Sequence, residues 1–270
     1  SVVSGEQRYF VPMSVRWGEE HLRPGAPKLS YTLAKTRSGP KVGALIDGTY
    51  DETLAAELIS LMQAGAVKTG VDYTVRFEGS PELIDFEELA APRPLGVEQS
   101  NVSIAFGEQV ILKVYRRLRL GEQPDVEIAR HLTDVSPFEQ TPALLGTITL
   151  EGEENAILAA AFKFVPNQGD AWAAVLGALV RYMEGADALE QETGGGTEED
   201  IILTFPLEIG ELAGRRTAEM HLALGQPGGG PAFDPEPISA DDLPALAADA
   251  IAAADTVLKR LAVAKADLNE

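Results

Sequence analysis

The order in which strand-like and helix-like stretches follow one another limits this chain more than any single motif does. Residues 10–17, "FVPMSVRW", alternate apolar and polar side chains as a strand does. "PKLSYTLAKTR" and "KVGALIDGTY" read as two further strands, with a turn at Ser38, Gly39 and Pro40 between them. The period then changes. Leu54, Leu58, Leu61 and Met62 share one helix face, Asp51 suits the N-cap and Gly65 the stop. "VDYTVRFEG" returns to strand, a short acidic helix runs from Ser80 and Pro81 to about Leu89, and "AAPRPLG" reads as a Pro-rich connector. Residues 96–117, "GVEQSNVSIAFGEQVILKVYRR", read as two strands joined by a turn. A helix follows, with Pro124 in its first turn and Val126, Ala129 and Leu132 on its buried face. "TPALLGTITL" and "NAILAAAFKFV" form a hairpin around residues 151–155, and only helices come after it. The last is Ala-rich and spans 239–270, with Ser239 or Asp241 near its cap. This order is α+β and not a βαβ alternation. It divides the chain into 1–92, a β-rich cap subdomain; 93–166, a sheet with one helix; and 167–270, helices.

Charge and cysteine usage exclude several roles. The 42 Asp+Glu against 22 Lys+Arg leave a formal charge of -20, which repels nucleic-acid phosphate and anionic membrane alike. Cysteine is absent, so there is neither a disulfide framework nor a thiolate zinc site, as in a cytoplasmic protein. The three histidines, His21, His131 and His221, are scattered along the chain and do not suggest a metal site.

The stretch 96–117 carries the chemistry. A lobe that handles ATP phosphates needs a hairpin over them and a lysine on the next strand. It also needs a helix carboxylate to hold that lysine and a backbone segment to read the base. The chain has one candidate for each, in that order. Residues 98–107 form the hairpin, with Ser100, Asn101 and Ser103 at its turn as phosphate donors; it lacks the GxGxxG pattern. Lys113 in "VILKVYRR" is the lysine, Glu127 is the carboxylate with Asp125 as its competitor, and "FKFVPNQGD" is the base-reading segment. Arg116, Arg117 and Arg119 form a basic cluster, read either as a solvated strand end or as phosphate attraction.

"GVEQSNVSIAFGEQVILKVYRRL", "PDVEIARHLTD", "FVPNQGDAW" and "AGRRTAEMHLAL" together resemble the maltokinase family, including the forms fused to trehalose synthase. The resemblance extends from about Arg8 to Leu224. It implies a protein-kinase-like small lobe, an antiparallel sheet plus a helix, preceded by a β-rich cap and followed by helices. It also implies phosphorylation of maltose by ATP and Mg2+ to maltose 1-phosphate, which feeds α-glucan synthesis, with trehalose synthase as a partner or fusion. By the resemblance Lys113 is the ATP lysine and Glu127 its helix carboxylate. Ser100, Asn101 and Ser103 match the phosphate loop, and Phe164 and Val165 match the hinge.

The family's catalytic lobe carries an HGD base motif and a DFEG metal motif. Neither occurs: "HLTD" at His131 belongs to the first helix of the lobe, and no aspartate follows "HLALGQ" at His221. Asp170, Asp241 and Asp242 read as helix caps rather than metal ligands. The chain is thus expected to be the ATP-side part of a kinase, cut at both ends and inactive alone. The alternatives are a non-catalytic, kinase-like docking or regulatory module, and another sugar or aminosugar kinase.

Overall fold

In a computed structural model of the chain, residues 2–4, 7–97, 101–189 and 198–264 are described. They divide into two compact units, Ser1–Leu224 and Gly225–Glu270.

The first unit opens with β1 (Val2–Ser4), β2 (Gln7–Tyr9), β3 (Met13–Trp17), β4 (Thr32–Ser38) and β5 (Lys41–Asp47). β3 pairs with β5 and β5 with β4, all antiparallel. Gly39, at φ 57, and Pro40 make the two-residue turn between β4 and β5, where Ser38 faces Lys41. α1 (Glu52–Gln63) follows, capped by Asp51, which accepts a hydrogen bond from Thr53 N at 3.0 Å. Its C-terminal stop is a Schellman turn: Gly65, at φ 58, donates to Met62 O and Ala66 N to Leu61 O. Ala55, Ile59 and Met62 are the fully buried stripe, with Leu58 and Leu61 packed at its edge. The buried stripe is therefore rotated from the leucine face expected of the pattern.

β6 (Val67–Thr69), β7 (Thr74–Gly79), α2 (Pro81–Ile84), β8 (Pro92–Val97), β9 (Asn101–Phe106), β10 (Val110–Tyr115) and β11 (Arg117–Leu118) come next. They are followed by α3 (Pro124–Arg130), β12 (Leu144–Glu151) and β13 (Ala156–Lys163). Seven of the strands form one antiparallel sheet in the order β6-β7-β12-β13-β10-β9-β8, while β11 joins β2 and β1 in a small separate sheet. The expected connector "AAPRPLG" is strand β8 at the edge of the large sheet. Prolines 92 and 94 face Phe106 and Ile104 there, and an edge strand tolerates residues that cannot donate to a ladder. The large sheet takes strands from both sides of Pro92, so the expected boundary at 92 falls inside it. Val110, Leu112 and Val114 pack with α1 in the main core, while Tyr115, Val126, Ala129 and Ala160 form a second core on the other face, under α3. Val126, Ala129 and Leu132 are buried as the helical pattern indicates. α3 passes into a π-helical turn, His131–Val135.

α4 (Ala171–Leu189) starts at Asp170, whose Oδ1 accepts Ala173 N at 2.7 Å, and α5 (Glu198–Leu224) packs against α4. The basic cluster after β10 has a structural part: Arg116 donates to Asp47, joining the end of β10 to the end of β5. In the second unit, α6 (Asp242–Ala264) is entered by reciprocal bonds between Ser239 and Asp242, 2.7 and 3.2 Å. Residues 265–270 of the expected final helix lie outside the described residues, as does most of "TGGGTEED".

Candidate functional site

The site follows from strand alternation. Successive side chains of β10 point to opposite faces, so Ile111, Lys113 and Tyr115 share the face under α3. Lys113 is opposite Ser103 on β9 and Ala160 on β13, two small side chains that leave it room to lie along the sheet. Pro124 presets the first turn of α3, and Asp125 comes next.

Lys113 Nζ donates to Asp125 Oδ2 at 3.0 Å, and the Tyr115 hydroxyl donates to the same oxygen at 2.8 Å. The ammonium is also 5.7 Å from the centre of the Tyr115 ring. Burial pushes the Asp125 carboxyl up, but the bonds from Tyr115 and Lys113 and the lysine charge outweigh it, holding the carboxyl below its ordinary value. Asp125 Oδ1 is sealed from solvent without a hydrogen bond of good geometry; the Gln123 side chain adds a smaller pull in the same direction. The Tyr115 hydroxyl is pushed strongly up by burial and by its bond to the carboxylate, so it remains a donor at all ordinary pH.

The pair lies in a cleft of about 640 Å³, within the ordinary range for small-molecule sites. Ser103, Ile111, Lys113 and Asp125 line it, together with Phe162, Phe164, Val165 and Asn167 from β13 and its exit. Ile128 and Leu95 add apolar surface from α3 and β8.

Four of the nominated residues, Lys113, Ser103, Phe164 and Val165, thus line one cleft. Glu127 does not hold the lysine. The partner is Asp125, because residues two apart on a helix point in widely different directions and only one of these carboxylates can face β10. Asn101 and Ser103 are on strand β9 and not at a turn, because the ladder with β10 begins at Asn101, opposite Tyr115. Asn101 is absent from the cleft lining, and Ser100 lies outside the described residues. Tyr115 went unnominated although the period-two pattern from Lys113 points to it. Leu95 and Ile128 carried no local signal.

No family model matches the chain. Among solved structures, it is similar to a glucosamine kinase in complex with glucosamine, ADP and inorganic phosphate. The TM-score is 0.46 at 20% identity, over 82% of this chain and 41% of that one. Glucosamine kinase in crystal forms A and B gives TM-scores of 0.45 and 0.41 at 21% and 20% identity, each over 72% of this chain and 39% of the other. The chain spans about two fifths of the length of these structures. Such TM-scores mark a likeness in outline, and the site stands on its own geometry.

Proposed function

We propose that this chain is the ATP-side part of a sugar kinase of the maltokinase type, whose complete form transfers the γ-phosphoryl group of ATP to maltose and yields maltose 1-phosphate. The observation that carries the reading is the Lys113–Asp125 pair in a cleft also lined by Phe164 and Val165. In it, Lys113 neutralises phosphate charge, and Asp125 and Tyr115 keep the ammonium in place. Ser103 offers a hydroxyl donor from the neighbouring strand, and Ile111, Phe162 and Phe164 supply apolar surface for a base. Asp125 takes the role that the resemblance assigns to Glu127. Maltose as acceptor, Mg2+ and trehalose synthase as partner rest on the motif resemblance. No three His, Asp or Glu side chains among the described residues come together as a metal site, so no step is assigned to Mg2+ on this chain. Phosphoryl transfer depends on a positioned base and on metal-borne charge neutralisation, and neither the HGD nor the DFEG motif is present. The chain alone is therefore expected to bind ATP without turning over.

Titration calorimetry with ATP tests the reading. The chain is expected to bind ATP, and Lys113→Ala to weaken binding at least about tenfold, as loss of a charged phosphate contact implies. Equal affinity in the two proteins overturns the assignment of Lys113. Maltose 1-phosphate formed from ATP, Mg2+ and maltose by this chain, with its mass verified, overturns the division of labour.

A further inference from the structure

On α6, the large apolar side chains Leu243, Leu246, Ile251, Val257, Leu258 and Leu261 are between 51 and 63% exposed. At about 3.6 residues per turn they do not scatter around the helix. Together with Ala247, Ala250 and Ala254 they make one stripe along it. The stripe reads alike in both directions. Leu243 and Leu246 stand as far before Ala252 as Leu261 and Leu258 stand after it. Ala247 mirrors Val257 and Ala250 mirrors Ala254 about the same residue. The charges beside the stripe reverse sign from end to end. Asp242 and Arg260 lie about five turns apart and therefore on the same flank.

A partner that fits this stripe has the same apolar spacing in reverse and the opposite charge at each end. The same helix, turned end for end about a two-fold axis at Ala252, meets both conditions. We infer that α6 is a self-association surface, occupied by α6 of a second copy of this chain in antiparallel orientation. Leu243 then meets Leu261 of the second copy, and Leu246 meets its Leu258. The alanines at 247, 250 and 254 let the two helix axes approach closely between these leucine pairs. Asp242 comes within about one turn of Arg260 of the second copy, and the symmetry makes this pair twice. Asp249 is turned further from the seam, and Asp255 is on the other flank, so neither adds a like-charge contact. A parallel pair would set Asp242 against Asp242 and Arg260 against Arg260. The seam from Leu243 to Leu261 is about 27 Å long and rich in alanine, which puts it among small interfaces. A dissociation constant of about 10 μM or weaker is expected, so dilute chain keeps α6 exposed. The inference is independent of the nucleotide reading.

Sedimentation velocity of the 270-residue chain, over a concentration series reaching about 0.5 mM, is expected to show a monomer–dimer equilibrium. Leu246→Asp places a charge in the seam of both copies and is expected to weaken the dimer at least about tenfold. Its far-ultraviolet circular dichroism is expected to match the parent's, because Leu246 is exposed in the single chain. The chain has no cysteine, so introduced ones report the orientation. Leu243→Cys and Leu261→Cys chains are oxidised separately and as a mixture. The mixture is expected to give the mixed disulfide and neither variant alone a cross-link, since bridged Cα atoms lie within about 7 Å. Cross-linking of each variant with itself overturns the antiparallel pairing. A parent that stays monomeric through the series, or a dimer that Leu246→Asp leaves at full strength, overturns the assignment of α6 as the surface.

Discussion

Asp125 illustrates how much a single residue depends on its neighbours. Two donors converge on one of its oxygens, and its carboxyl is held below the ordinary value of about 3.9 for an aspartate. A group whose folded-state pKa is depressed contributes stability that is present above its unfolded pKa and lost as pH falls through the folded value. Tyr115→Phe removes one donor, so the Asp125 pKa is expected to rise toward the ordinary value. The acid loss of stability then begins at higher pH. At neutral pH the variant is expected to be about 1.5–3 kcal/mol less stable, the range for a hydrogen bond to a charged group. Guanidinium unfolding at a series of pH values from 3 to 7 reads both quantities, and superimposable acid profiles would show that the hydroxyl does not hold Asp125. At this scale the sequence was partly legible. Lys113 was marked by its apolar approach, but the choice between Asp125 and Glu127 was not, because it depends on how far α3 is turned toward β10.

Among the elements, β12 and β7 meet with little room for a side chain. Gly146 faces Gly79 across the two strands. A Cβ on Gly146 would come within 2.5 Å of Glu78 O, and one on Gly79 within 2.7 Å of Met62 O at the end of α1. These glycines let the strands and the helix end approach closely, a reason independent of turn geometry. Gly146→Ala is expected to destabilise by about 1–3 kcal/mol, the cost of forcing backbone apart in a packed core. Thermal unfolding checks this, and an unchanged Tm would mean that the strands part without cost. Most elements were legible, since period two and period 3.6 are set by the residues themselves: α1 with its Asp51 cap and Gly65 stop, α3 with its buried face, and the β12–β13 hairpin. β8 was not. Two prolines in six residues read as connector, and only the position at the sheet edge, where no donor is needed, makes them a strand.

Across the whole molecule, burial is uneven. β10 has four of its six residues buried, whereas α6 is exposed from Asp242 to Ala262, with Ile251 and Val257 each 63% exposed. On α4 too, Trp172, Leu176 and Met183 are exposed along one face. Exposed backbone opens locally at low free energy, and alanine favours helix without burying much area. Amides of α6 are therefore expected to exchange with deuterium faster than those of β10, though the segment is helical. Slower exchange in α6 would mean that its apolar stripe is covered in solution. The amino-acid order determined the α+β class, the helix caps, the strand periods and the lysine ahead of the first helix of the lobe, because each is set within a few residues along the chain. The tertiary structure decided the seven-strand order across Pro92, the rotation of α1, the pairing of Lys113 with Asp125 and Tyr115, and the engagement of the Arg116 guanidinium by Asp47. Those outcomes depend on which surfaces meet across tens of residues, and periodicity along a chain does not encode the relative turn of two elements once they pack.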